Sequence, residues 1–280
     1  MKYFITSDIH SFYDELIFEL NKKGYNKEDS NHILIVCGDI FDRGTKPLEV
    51  YNFLRNIPKE RRILIKGNHE QLLKELVQRG YPANRDIHNR TYETLFYFCG
   101  FNPDIKDELL KDLYNNSKGT TEEIHQKYHD LSTKIDYELF HNDKLYEILE
   151  WLNSDEWINY YELDKYIFVH AFIPLFDGLD NRYNPNWRLS NDDEWYMASW
   201  GCPWKLYLEG NFEEEKNNGK ILVCGHWHTS DFYNNLLYKD DYCKLSFTEN
   251  PIFMHEDYNL IGLDACCAAS KKLNVLVIEL

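Results

Sequence analysis

The first eighty residues alternate short apolar runs with helical patterns. Tyr3 to Thr6 is a short strand, and the apolar face of Tyr13, Leu16, Ile17 and Leu20 predicts a helix after it. His32 to Cys37 is an unbroken apolar run of the kind a strand shows when both its faces are covered. Pro47 opens a second helix at a favoured first position, carrying Val50, Phe53 and Leu54 inward. Arg62 to Ile65 is a third strand, followed by a helix marked by Leu72, Leu73, Leu76 and Val77. The order β-α-β-α-β-α makes this an α/β chain, and the polar cluster directly after each strand falls where open α/β sheets hold ligands.

From about residue 84 to 163 the character changes. Charge and tyrosine density rise, strand-like runs vanish, and helical spacing such as Leu145, Ile148, Leu149 and Leu152 dominates. The segment reads as a helical insertion or cap on a single domain of residues 1–280, with Asn115 to Thr121 its clearest loop. It gates the site or simply packs; the pattern fits both. Strands resume at Tyr166 to Val169, Ile221 to Cys224 and Leu273 to Ile278, separated by a stretch from Asp177 to Asn218 with few regular signals.

Length and composition narrow the class. A chain of 280 residues, 43% hydrophobic and 28% charged, buries a core without staples. Its 31 basic and 47 acidic residues give a net charge of −16, which repels phosphate backbones and argues against non-specific nucleic-acid binding. A phosphorylated substrate therefore needs a local positive site. The seven cysteines are odd in number with no CxxC spacing, as expected of reduced thiols in the cytoplasm. Charged residues come within the first eight positions, and no run approaches the roughly 18–20 apolar residues of a membrane span.

Five clusters follow strands: Asp8 with His10; Gly38, Asp39, Asp42, Arg43 and Gly44; Gly67, Asn68, His69 and Glu70; His170; and Gly225, His226 and His228. Each alone has a plain structural reading, such as a strand-end turn, an ion pair, a helix cap or a core histidine. His226 and His228, two apart on a strand, would point the same way. Together they are oxygen and imidazole donors without cysteine, the set that manganese, iron and zinc accept and a structural thiolate-zinc site does not. Any one fixed residue matches by chance about one time in twenty. More than a dozen in order is not coincidence.

The order DxH, GDxxDRG, GNHE, a strand-end histidine and GHxH resembles the calcineurin-like metallophosphoesterases. GDIFDRG with GNHE is similar to the phosphoprotein phosphatase branch, which includes Ser/Thr phosphatases and bacterial dinucleoside polyphosphate hydrolases. The segment Ile261 to Cys266, with a strand from Leu273, looks like the final hairpin of bacterial members. The resemblance implies a four-layer α/β/β/α sandwich with two divalent metal ions, manganese first and iron, zinc or magnesium next, at the strand ends. It makes Asp39 the bridging ligand, assigns Asp8, His10 and a further ligand, His228, to one metal, and gives Asn68, His170 and His226 to the other.

Two cations sharing a carboxylate lower the pKa of a bridging water and clamp phosphoryl oxygens, which a reaction this slow demands. A neutral Asn68 among anionic ligands preserves Lewis acidity. By resemblance His69 is the general acid, oriented by Asp42, and Arg43 is the planar fork for phosphoryl oxygens, with Asn68 also facing substrate. The chain departs from the family where a second phosphate-binding arginine is expected: Ser199 stands there, and nothing in their surroundings fixes Arg182 or Arg188 in the site. The second histidine, His228, departs from the phosphoprotein branch as well.

The implied function is hydrolysis of a phosphomonoester, Ser/Thr phosphoprotein included. The alternatives are a dinucleoside polyphosphate or cyclic nucleotide hydrolase and, in another class, a catalytically silent scaffold. Scaffolds usually lose ligands, whereas here every core position is filled. The implied partners are phosphorylated proteins or small phosphoesters, with no membrane and no non-specific nucleic acid.

Overall fold

In the computed structural model, residues 1–100, 120, 122–123, 126, 139–176, 182–238 and 243–280 are described. The loop expected at Asn115 to Thr121 lies outside them except for Thr120.

Strand β1 (Lys2–Thr6) shows how the layers arise. Tyr3 and Ile5 point into one apolar cluster and Phe4 into another. Strand β2 (His32–Cys37) does the same, with Ile33, Ile35 and Cys37 on one face and Leu34 and Val36 on the other. Both faces are covered, which is why the run is continuously apolar.

With β3 (Arg62–Ile65) and β4 (Trp157–Ile158) these strands form a parallel array, and β12 (Leu276–Glu279) adds antiparallel to β1, giving the order β12-β1-β2-β3-β4. A second sheet runs β10-β11-β9-β6-β5, from β10 (Phe253–Met254), β11 (Leu260–Gly262), β9 (Ile221–Cys224), β6 (Tyr166–Phe168) and β5 (Tyr161–Leu163). Strands β7 (Leu175–Phe176) and β8 (Arg182–Tyr183) make a separate two-stranded ribbon.

The two five-stranded sheets pack face to face through Ile5, Ile35, Ile65, Phe168, Val223 and Ile261. Helices cover the outer face of the first sheet: α1 (Tyr13–Lys22), α2 (Pro47–Arg55), α3 (Asn68–Arg79), α4 (Asn84–His88), α5 (Thr91–Cys99) and the helix Asp143–Leu152. The outer face of the second carries the helices Asp192–Ala198 and Pro203–Leu208. The four-layer α/β/β/α sandwich is thus present.

Three sequence expectations need correction. Strand-like structure does not vanish across 84–163, because β4 and β5 lie within it. At two and three residues they are too short to leave an apolar run. Among its described residues the stretch from Asp177 to Asn218 holds β8, a 3₁₀ turn at Trp187–Leu189 and three short α-helices, the third at Glu213–Asn217. The last two strands are no hairpin: β11 pairs with β9 and β10 in the second sheet, while β12 pairs with β1 in the first.

The described helices of residues 84–163 contribute Ile87, Tyr92, Leu95, Leu145, Ile148 and Trp151 to the same cluster as β1 and β2. All seven cysteines are free thiols. Among the described residues no helix is long and apolar enough to cross a membrane.

Candidate metal centre

The loops leaving β1, β2, β3, β6 and β9 meet at one end of the sandwich. Backbone bonds tie them together: Asp8 donates to the Gly38 carbonyl (3.1 Å), His10 to that of Asp39 (2.9 Å), and Gly225 to that of His170 (2.7 Å). Such close approach needs residues without side chains. A Cβ on Gly67 would strike Asp39 Oδ1, and one on Gly225 would strike Asp8 Oδ2. The turns are tight enough that Asp8 (φ 51°), His10 (47°), Asp39 (56°), Asp42 (73°), Arg43 (60°) and His226 (66°) all adopt left-handed backbone. Left-handed residues other than glycine are uncommon and cluster at functional sites.

Asp39 is the centre. Its Oδ2 lies 3.4 Å from His170 Nε2 and 3.8 Å from Nε2 of both His10 and His69. Two sets of ligand atoms share it, His10–Asp39–His69 and Asp39–His170–His226, each within 4.8 Å of one another. Asn68 Oδ1 is 2.8 Å from His170 Nε2, and Asp8 Oδ1 is 3.9 Å from His10 Nε2. Asp8, His10, Asp39, Asp42, Asn68, His69 and His170 are each no more than 3% exposed.

The imidazoles are pre-oriented. His10 Nδ1 lies 2.9 Å from the Phe41 carbonyl and His170 Nδ1 2.8 Å from that of Cys37. Donation to these carbonyls puts the ring proton on Nδ1 and leaves the Nε2 lone pairs facing Asp39, the usual device for a metal-binding histidine. Burial, then Arg43 and His69, keep His10 well below the ordinary histidine range, and burial with His170 holds His226 at about 3. Burial raises Asp39, but His170, His69, His10 and His226 outweigh it and hold the carboxylate ionised. Burial, Asp264 and Asp39 push Asp8 the other way. Neutral imidazoles around crowded carboxylates are a donor set that fits divalent cations.

A second line of contacts runs outward. His69 Nδ1 is 2.6 Å from Asp42 Oδ2, and Arg43 reaches His10 Nε2 (2.9 Å) and His69 Nε2 (3.3 Å) through its two terminal nitrogens. Burial lowers His69, but Asp39 and Asp42 overcome it and raise the imidazole above its usual range.

Sequence reasoning gave no role to four groups that hold this arrangement. Thr91 and Thr94 of α5 donate to the two oxygens of Asp42 (2.6 and 2.8 Å). Glu70 accepts backbone N–H groups from Gly67, Asp39 and Ile40 (2.8, 3.0 and 2.8 Å). Asp264, buried beside Asp8, accepts from the Cys266 N–H at 2.7 Å. Glu70 was within the motif; the threonines sit on α5, in the segment 84–163, with no local pattern to mark them.

His226 and His228 do not share a strand face. Strand β9 ends at Cys224, and the left-handed turn at His226 breaks the alternation. His228 Nε2 instead faces Asp264 Oδ2 at 4.0 Å, and a contact with Cys266, with Asp264 beside it, raises the ring to about 9. Arg188 is also accounted for: it binds Glu162 (2.5 Å) and, through Nη1 and Nη2, both oxygens of Glu215 (2.9 and 3.1 Å). Ser199, where an arginine was expected, donates to the Tyr196 carbonyl.

Fold and donor set together define a metal-type phosphoesterase site. Residues 1–230 match the calcineurin-like phosphoesterase family model, and the chain belongs to that family. It is therefore an enzyme of the phosphoester-hydrolysing class, from a family that works with divalent metals.

Among its relatives is an asymmetrical bis(5′-nucleosyl)-tetraphosphatase of Bacillus subtilis (strain 168), 25% identical over 230 residues, 79% of this chain and 84% of the relative. The protein of the same description from Bacillus velezensis is 37% identical over 76 residues, covering 25% of this chain and only 30% of that relative's length. A cold-active protein-tyrosine phosphatase of a psychrophilic Shewanella is a structural neighbour at 17% identity and TM-score 0.48, over 99% of this chain and 75% of that one.

Proposed function

We propose that this chain is a phosphatase using two divalent cations, manganese the first to test, held by Asp8, His10, Asp39, Asn68, His170 and His226. One observation carries the reading: the buried Asp39 carboxylate is shared by two histidine groups, and one member of each, His10 and His170, is held with its Nε2 lone pair on the Asp39 side. His228, turned toward Asp264, stays outside this ligand set. When bound, such a pair supplies a deprotonated water near neutral pH and neutralises phosphoryl oxygens. Arg43 grips those oxygens with its planar fork, turning from the histidines it touches now. Asn68 adds an amide donor on the substrate side.

His69 gives a proton from Nε2 to the leaving oxygen. Asp42, gripped by both threonines, fixes its tautomer and stabilises its cationic form. The free thiols support a cytoplasmic setting.

The test is turnover of p-nitrophenyl phosphate with manganese, iron, zinc and magnesium. His69→Asn lowers kcat about 10²–10⁴-fold with metal content intact. No turnover with any of these metals in folded protein overturns the reading in favour of a silent scaffold. Loss of metal from the variant moves His69 into the coordination shell.

A second reading, hydrolysis of dinucleoside polyphosphates, is favoured by the two bis(5′-nucleosyl)-tetraphosphatase relatives. Phosphopeptides, diadenosine tetraphosphate and cyclic nucleotides assayed side by side separate the two.

A further inference from the structure

Beside the metal centre opens a cavity of about 580 Å³ that shares His170, Gly67 and Glu70 with it. A volume of that order suits a small organic ligand. One face of α3 forms its floor, with Glu70, Gln71, Lys74, Val77 and Gln78 recurring at helical spacing. The same helix carries Asn68 and His69 in its first turn. Lys74 stands six residues after Asn68, about 9 Å along the axis, which is too far for the phosphate being cleaved.

The charges in the cavity are almost all committed. Lys66 pairs with Asp192 (3.2 Å), which also accepts from Asn159 (3.1 Å). Glu70 is occupied by its three backbone donors. Lys74 is the exception: half-buried, it has no carboxylate within ion-pair distance among the described residues. Burial, with Lys66 close by, draws its pKa below the ordinary lysine range, while Glu70 and Asp192 oppose this. A half-buried amine left without an anion costs stability, and an incoming anion repays it. The lining also includes the buried Phe172 and Trp195 and the partly exposed Tyr196. A cation and a partly exposed aromatic ring lining one cavity are a match for a phosphate chain ending in a flat base, and this is positive chemistry on a chain of net charge −16.

We propose that Lys74 and its cavity form the leaving-group subsite, and that they select substrates cleaved at a phosphoanhydride bond, whose leaving group is a nucleoside phosphate. The inference rests on the phosphoesterase reading above. Lys74, on a helix of the first sheet, supplies an anion contact beyond the phosphate being cleaved and does not stand in for the arginine missing at Ser199. No bond is made or broken at Lys74: it is a specificity residue, and hydrolysis proceeds at the Asp39 centre.

The experiment compares wild type, Lys74→Ala, Lys74→Gln and Lys74→Arg, each loaded with manganese and checked by circular dichroism. Rates are measured on diadenosine tetraphosphate, p-nitrophenyl phosphate and a phosphoserine peptide. Lys74→Ala and Lys74→Gln lower kcat/KM for the dinucleotide at least about tenfold more than for p-nitrophenyl phosphate, through KM, and Lys74→Arg restores most of it. Calorimetry with adenosine 5′-(β,γ-methylene)triphosphate shows a matching loss of affinity, independent of turnover.

Equal losses on both substrates, or no loss on the dinucleotide, overturn the subsite while leaving the phosphoesterase standing. So does a wild type that cleaves the peptide and p-nitrophenyl phosphate yet neither binds nor cleaves the nucleotides. A folded wild type inert toward all three phosphoesters brings down both readings.

Discussion

Glu70 offers the sharpest test of how the site is held. Its carboxylate is 2% exposed and accepts three backbone N–H groups, those of Gly67 and Asp39 on Oε2 and that of Ile40 on Oε1. It thereby bolts the loop after β2 to the start of α3, and the His69 N–H returns the link by donating to Asp39 Oδ1 at 3.0 Å. Each bond to an ionised acceptor contributes about 1.5–3 kcal/mol, so three sum to roughly 4.5–9 kcal/mol. Water entering the gap and coupling between neighbours reduce the measured loss to about 4–6 kcal/mol for Glu70→Ala. That is a large part of the roughly 5–15 kcal/mol that keeps a domain folded.

Glu70→Gln has the same shape and keeps an acceptor oxygen. Burial and the nearby Asp39 charge, only partly offset by its backbone donors, raise the Glu70 pKa, so removing its charge also relieves some repulsion. The expected loss for the glutamine variant is about 2–3 kcal/mol. Urea unfolding followed by tryptophan fluorescence and far-ultraviolet circular dichroism gives both numbers. An alanine variant within about 1 kcal/mol of wild type, at unchanged m-value, would refute the claim that this carboxylate joins the two loops.

Two further outcomes follow from contacts outside the ligand set. Thr94→Val removes the hydroxyl that donates to Asp42 Oδ1, and kcat should fall about tenfold with KM little changed, Thr94→Ser restoring it; an equal effect of Ser and Val would assign Thr94 to packing alone. Arg188→Met should cost about 1–3 kcal/mol at pH 7. Burial raises Glu215 and Glu162, but hydrogen bonds, those from Arg188 foremost, outweigh it and lower both carboxyls below the usual 4.5. Their contribution is present above the unfolded carboxyl range and lost as pH falls through the lower folded values. Stability of the wild type should therefore fall more steeply below about pH 4.5 than that of the variant, as thermal melts across that range would register.

What was legible in the sequence was whatever is encoded locally. The bounds of His32–Cys37 were readable because covering on both faces leaves no polar position inside the strand. Asp8, His10, Asp39, Asn68, His69, His170 and His226 were readable because chemistry of that kind sits in short motifs at strand ends, and the fold brings them within a few ångströms of Asp39 or its neighbours. The phase of His226 and His228 was misread, since alternation holds only while a strand continues and β9 stops at Cys224. Strand β11 pairs with β9, distant in the chain, and Thr91 and Thr94 reach Asp42 from about fifty residues away. Nothing in the neighbouring residues announces such pairings. Lys74 was passed over for a related reason: a lone lysine on a helix normally means a wetted surface, and only the cavity it lines says otherwise.

The left-handed turns under Asp8, His10, Asp39, Asp42, Arg43 and His226 have a practical consequence for dissecting this enzyme. Replacing any of them with alanine changes two variables at once, deleting a functional group and installing a residue that resists the required torsion. A dead alanine mutant would then report either lost chemistry or a relaxed loop, with no means of choosing. Asparagine tolerates that torsion far better, so an asparagine scan is the cleaner instrument, with a glycine at each position as the control for shape alone.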